Sequence, residues 1–283
     1  MIGPGAVGVT FGAAAERAGH DVVLYGRAPG PAPVLELPGG QEQALASAVR
    51  DDPAAPVPWV LLATKTHQTA TAAPALRALA NGKTTIVVLQ NGVEHRALTE
   101  PHAAGATIVP GIVWCPSERL SPERTIQRGP ARVSVPDDDA GRAFATLMGE
   151  AAEVVTVPDF RTEAWRKLIL NATAAPMVTE ARRAEVFREP EHFATAQAIA
   201  EEAAEVARAE GAEIGPGDVE EVLATLTTMP PDLGTSMLFD RLAGRRLEWD
   251  ARNGVVARRG REHGIPTPVT DAVCARLAAL DAA

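Results

Sequence analysis

The sequence predicts an α/β domain followed by an all-α domain, and three observations predict it. In the first half, short β-branched apolar runs alternate with Ala- and Leu-rich stretches, the rhythm of a parallel sheet with helical crossovers. Beyond Pro158 no strand-like run interrupts the helical patterning. At the very start stands MIGPGAVG, whose Gly3, Gly5 and Gly8 form G-x-G-x-x-G, the spacing of a strand-to-helix turn that approaches a phosphate. The boundary is placed at residues 158/159, giving domains 1–158 and 159–283.

Taken in order, Val7 to Ala18 is small and apolar enough for a helix, and Gly19 is placed to end it. Strands are expected at 21–27, 57–65, 84–92 and 106–115, with a helix over 69–79. Two later strands, 131–136 and 154–158, flank a helix over 141–149. The Pro/Gly-rich stretch from Ala28 to Pro58 is read as loops with at most one short helix. In the second half, helices are expected over 162–174, 194–210, 217–227, 235–263 and 269–280, with Gly211 and Gly264 as stop signals. Only Met1 and Ile2 precede the glycine turn, so the first strand is expected to be truncated, through a misassigned start or a shortened clone.

Composition narrows the function. The hydrophobic fraction of 46% permits a sizeable core, but with aromatics at 4% it is built from Ala, Val and Leu. A formal net charge of −9 argues against nucleic-acid and anionic-membrane partners, which use broad basic surfaces. Cys115 and Cys274 stand far apart in no metal or redox spacing, and a reducing cytoplasm is the simplest location. The six histidines show no paired ligand spacing, so no metal site is expected.

The glycine turn gains weight from its context, because a helix and then a second strand follow within the ~30-residue unit that dinucleotide binding requires. Gly3, Gly5, Ala6, Val7 and Gly8 would then carry the pyrophosphate. Where an NAD-preferring protein places Asp or Glu, at the end of that second strand, LYGR has Arg27. A guanidinium there suits the 2′-phosphate of NADP; a solvated loop arginine is the plain alternative. The next strands end in Lys65 and in Asn91-Gly92. Strand carboxyl ends line the ligand crevice of an open parallel sheet, so these residues would converge. Taken singly, Lys65 could be a surface lysine and Asn91-Gly92 a turn.

In WRKLILNA, Lys167 and Asn171 are four apart and share one helix face among apolar neighbours. Such a lysine either snorkels or is functional. On the helix expected from Thr235, Ser236 and Asp240 are i,i+4, and Glu248 lies twelve beyond Ser236, on roughly the same side. Asp240 reads equally well as an exposed acid, and Arg245, Arg246, Arg258 and Arg259 as solvated or paired.

IGPGAVG, ATKTHQT, LQNGVEH, WRKLILNA and GTSMLFDRLAGRRLEWDARNGVVARRGREHGIPTP, in that order, resemble the ketopantoate reductase family along essentially the whole chain. The resemblance implies an NADP-binding Rossmann-type N-terminal domain, an all-α C-terminal domain and reduction of a 2-oxo acid, most simply ketopantoate to pantoate. It makes Lys167 the general acid, places Asn91, Asn171, Ser236 and Glu248 at substrate- or catalysis-associated positions, and puts Lys65 against the cofactor. A small-molecule substrate is implied, and a homodimer is compatible with it. One departure concerns the pocket: where the family commonly carries a second asparagine four residues after the one matching Asn171, this chain has Ala175, and the missing amide is expected to weaken ketopantoate binding. Alternatives are a same-family reductase of another 2-oxo acid, a 3-hydroxyisobutyrate-type dehydrogenase, which fits GTSMLFD and LEWD less well, and a catalytically silent dinucleotide sensor.

Overall fold

A computed structural model describes residues 1–282, and the chain divides into two compact units, Met1–Phe160 and Arg161–Ala283. In the first unit the elements run α1 (Ala6–Arg17), β1 (Leu24–Tyr25), β2 (Val34–Glu36), β3 (Glu42–Ala44), β4 (Val49–Arg50), β5 (Trp59–Leu62), α2 (Thr69–Leu79), β6 (Thr85–Val88), α3 (His95–Thr99), β7 (Thr107–Pro110), β8 (Ile112–Trp114), β9 (Ser117–Ser121), β10 (Arg124–Gln127), β11 (Arg132–Pro136), α4 (Asp139–Met148) and β12 (Glu153–Val157). The second unit is helical: α5 (Phe160–Thr173), α6 (Ala175–Thr179), α7 (Pro190–Ala209), α8 (Pro216–Thr228), α9 (Ser236–Leu242), α10 (Val255–His263) and α11 (Pro268–Asp281).

The strands of the main sheet are parallel, with one antiparallel bridge, Gly30 to Val49, at its β4 edge. Its order is β4, β1, Ile2, β5, β6, β7, with Ile2 bridging Tyr25 on one side and Leu62 on the other. Ile2 therefore occupies the central position where strand order reverses, the switch point at which open α/β sheets bind ligands. Its backbone is fully engaged: Ile2 N–H donates to Leu61 O at 2.8 Å, and Ile2 O accepts from Ala63 N–H at 2.8 Å.

Strand alternation divides the core into two layers. Ile2, Val60, Leu62, Ile86, Val88 and Ile108 pack with Leu76 and Leu79 of α2, whereas Leu61, Val87 and Val109 pack with Val9 and Phe11 of α1 and Phe144 and Met148 of α4. Neighbouring residues thus bury opposite faces, as the two-residue period of a strand demands. In the second unit α7 is the spine: Ala196, Ile199, Ala200, Ala203, Ala204 and Ala207 are buried along one face, and α8, α10 and α11 pack against it. Small side chains let those helices approach closely.

Three expectations need correction. The stretch 28–58 holds no helix but three short strands; β4 joins the main sheet, while β2 and β3 belong to a separate four-stranded sheet whose order is β3-β2-β10-β9. The strand expected over 106–115 breaks at Gly111, after which β8 pairs antiparallel with β11. The helix expected over 235–263 is interrupted: α9 stops at Leu242, residues 243–248 are non-helical, and the chain re-enters through a π-helical turn at Asp250–Gly254 before α10. Gly244, at φ +62°, supplies the left-handed residue that ends α9. No helix among the described residues is long and apolar enough to cross a membrane.

Candidate active site

In the first unit, every strand of the main sheet's centre runs its carboxyl end into one of the sequence-predicted residues. Gly3 follows Ile2 and adopts φ +91°, and a Cβ there would lie 2.7 Å from Thr64 N. Gly8 lies in the first turn of α1, where a Cβ would meet Gly3 O at 2.0 Å. These two glycines let turn, strand and helix close on one another. Gly5 differs, since no atom lies within 4 Å of the position its Cβ would take. The open space stands at the amino end of α1, where no side chain caps the helix and no acidic residue occupies the first turn. The first-turn amides of Ala6, Val7 and Gly8 at the positive end of a helix, beside a backbone with no Cβ, fit a dinucleotide pyrophosphate.

Arg27 lies two residues beyond β1 and is exposed. Lys65, half-buried, ends the segment after β5 and opens a short 3₁₀ turn at Thr66–Gln68. Asn91, also half-buried, follows β6, and its backbone O accepts from Thr66 Oγ1 at 2.9 Å. Reading the sequence alone missed the lattice that fixes these ends. Gln90 Nε2 donates to Thr64 Oγ1 at 2.9 Å and to Thr69 Oγ1 at 3.0 Å, Thr69 Oγ1 donates to Thr66 O at 2.9 Å, and the buried His95 ring contacts Gln90 O at 2.9 Å. Burial, outweighing that contact, holds the His95 pKa below its ordinary value.

In the second unit Lys167 and Asn171 lie one turn apart on α5, both half-buried. Burial, and secondarily the Arg252 charge, pushes the Lys167 ammonium down to about 8. Ser236 opens α9 with its side chain exposed, while Thr235 caps that helix by accepting from Leu238 N–H at 3.3 Å. Glu248 is buried and ends the non-helical stretch. Because the helix is broken, twelve-residue spacing cannot put Ser236 and Glu248 on one side. Arg252 gathers them instead: its Nη2 donates to Ser236 Oγ at 2.9 Å, and Glu248 and Asp240 act on its charge.

Arg252 and Asn253, in the π-helical turn, were not singled out from sequence. Both are essentially inaccessible, at 2% and 0% exposure. Asn253 Nδ2 donates to Ala172 O at 3.0 Å, tying the turn to α5 just after Asn171. Burial lowers the Arg252 pKa, with Glu248 and then Asp240 pulling the other way. Asp240 is buried rather than exposed, and Arg245 Nε donates to its Oδ1 at 2.9 Å. The remaining arginines of the segment are paired as expected, Arg258 with Asp250 and Arg259 with Glu262. The signal for the turn was Gly244 followed by a charged run inside an otherwise helical pattern. Ala175 has no accessible surface and packs in the apolar core with Met177 and Val178. The departure noted there thus belongs to core packing.

Comparison with known proteins fixes the family. The model described as "Ketopantoate reductase PanE/ApbA" matches residues 1–139, and "Ketopantoate reductase PanE/ApbA C terminal" matches 159–281. The chain belongs to the ketopantoate reductase family. A 2-dehydropantoate 2-reductase of Mycobacterium tuberculosis is 41% identical, over 99% of this chain and 96% of its own. A relative of the same name from Caulobacter vibrioides is 39% identical over 98% and 97%. Among solved structures, the PanE/ApbA family ketopantoate reductase from Ralstonia eutropha JMP134 superposes with a TM-score of 0.89 at 28% identity, covering 99% of this chain and 97% of that one. Family membership makes the chain an oxidoreductase acting on a CH–OH group with a nicotinamide dinucleotide.

Proposed function

We propose that this chain reduces ketopantoate to pantoate, using NADPH, with Lys167 as the general acid. The observation that carries the reading is Lys167 itself, an ammonium in the family's helical half whose pKa burial brings down to about 8. Free lysine, near 10.4, is a sluggish acid at neutral pH, and a value close to the working pH is what proton donation favours.

NADPH, when bound, supplies the hydride. Lys167 holds the 2-oxo oxygen electrostatically, and as the carbonyl π pair moves onto that oxygen the ammonium donates its proton there, ending as a neutral amine. Asn171, one turn along α5, steadies the same oxygen or the adjacent hydroxyl, Glu248 anchors the substrate hydroxyl, and Ser236 donates to the carboxylate. The open backbone at Gly5 and the uncapped start of α1 support pyrophosphate binding by residues 3–8. Lys65 and Asn91 hold the nicotinamide side. Arg27, exposed beyond β1 where an acidic residue would favour NAD, supports NADPH over NADH.

The test is consumption of NADPH by the purified protein. Oxidation that depends on added ketopantoate, with pantoate as product, supports the reading; no ketopantoate-dependent oxidation overturns it.

A further inference from the structure

Resting on the reading of the site as a 2-oxo-acid reductase, one buried group has so far no task in the reaction. Arg252 lies in the π-helical turn at 2% exposure. A π-helical turn inserts an extra residue into the ladder, is rare, and concentrates at functional positions. A buried guanidinium is costly unless its donors are used. Here Nη2 is used on Ser236 Oγ, at 2.9 Å, while Nε has no hydrogen-bond partner.

The Ser236 contact has a defined sense. Guanidinium has five N–H donors and no acceptor. Ser236 Oγ must therefore accept, and the hydroxyl hydrogen is turned to some other acceptor. Ser236 is not consumed by helix capping, since Thr235 performs that role. Its side chain is exposed above the buried arginine. What is presented outward is an O–H donor, backed by a positive charge that water does not screen.

The charges nearby point the same way. From α5 comes Lys167; from the π-helical turn, Arg252; from the segment after α9, Arg245. Facing them are Asp240 on α9, which Arg245 pairs at 2.9 Å, and Glu248. Among these groups Arg252 is the buried cation in direct contact with Ser236, so an anionic group bound at that hydroxyl meets its field.

We infer that Arg252 is a positioning residue for the substrate carboxylate: it holds Ser236 as an outward donor and sets a buried positive charge behind it that selects a 2-oxo acid over a neutral 2-oxo compound. It does so through Ser236 and the local field, without a bond to the reacting carbonyl.

The experiment compares wild type, Arg252→Leu, Arg252→Lys, Ser236→Ala and the Arg252→Leu/Ser236→Ala pair. Each is assayed at saturating NADPH with ketopantoate and with a 2-oxo-acid methyl ester, which keeps the carbonyl and loses the anion. Arg252→Leu and Ser236→Ala should each raise KM for the acid roughly 10- to 100-fold, the worth of one hydrogen bond to a charged group, with kcat falling far less. KM for the ester should hardly move, Arg252→Lys should recover part of the loss, and in the Arg252→Leu background Ser236→Ala should cost little more. An unchanged acid KM in folded Arg252→Leu, or equal losses for acid and ester, overturns the inference. Ser236→Ala keeps the test alive if Arg252→Leu does not fold: at that exposed position the protein retains its core, and a wild-type acid KM overturns the inference by itself. The wild-type arm is separate. If it reduces another 2-oxo acid, the ketopantoate assignment fails and the Arg252 comparison is made on that acid; if it reduces none, both readings fall.

Discussion

Replacing Lys167 by Met should make the folded protein more stable and the enzyme nearly inert. Burial brings the lysine from 10.5 to about 8, and at about 1.4 kcal/mol per pH unit the folded state bears a cost of about 3 kcal/mol for keeping that ammonium at neutral pH. Methionine has a stem of similar length and no charge to desolvate. The sign follows from proton counting. Between pH 8 and 10.5 the unfolded chain holds the lysine proton and the folded chain has released it, so wild-type stability rises with pH across that window. The full cost is present below about 8 and is gone above about 10.5. The variant should therefore melt higher than wild type at pH 7, by roughly 10–15 °C for a unit of this size, and the gap should close toward pH 10.5. Thermal melts of both proteins across that range, followed by circular dichroism, measure it. A variant that melts at or below wild type at pH 7, or a gap independent of pH, would refute the claim that Lys167 is held in a site hostile to its charge.

Other expectations follow from the same geometry. Arg27→Ala should raise the KM for NADPH by the worth of the lost charge-assisted bonds, about 1.5–3 kcal/mol each, and leave NADH use unchanged; equal losses with both cofactors would show that Arg27 does not read the 2′-phosphate. Gly5→Ala should fold normally, because the position is open, yet bind NADPH weakly, whereas Gly8→Ala should lose stability, since its Cβ would stand 2.0 Å from Gly3 O; melting curves beside NADPH titrations separate the two. Asn253→Ala should cost about 1–3 kcal/mol by leaving the buried Ala172 carbonyl unpaired, read from urea melts. Ala175→Asn should lower stability without improving ketopantoate selectivity, because it places an amide in an apolar core; a selective gain in kcat/KM would return residue 175 to the pocket.

The parallel sheet was legible because β5, β6 and β7 are buried on both faces and read as unbroken apolar runs, and Ile2 could be placed by the glycines behind it. The strands between 28 and 58 were not. Val34–Glu36 and Glu42–Ala44 are three residues each, with charged members, and β2 pairs with β10, ninety positions away. Nothing local encodes such a partner. In the second unit, α7 announces itself by alanines at helical spacing, but the segment from 235 to 263 carries helical periodicity through a break. Gly244 was the available warning. Lys167 stood out as a charge among apolar neighbours, whereas Arg252, within DARNG, has polar neighbours and reads as solvated; only tertiary packing buries it.

The central claim is that Lys167 donates the proton in a ketopantoate reduction, and the pH dependence of kcat/KM for ketopantoate at saturating NADPH tests it most directly. Wild type should keep a plateau at neutral pH and fall tenfold per pH unit above an apparent pKa near 8, where the ammonium is lost. Lys167→Ala should be slower by roughly 10²–10⁴ and show no such descent, while binding NADPH as wild type does. A Lys167→Ala enzyme that retains near-wild-type turnover, or the same alkaline descent, would contradict the account.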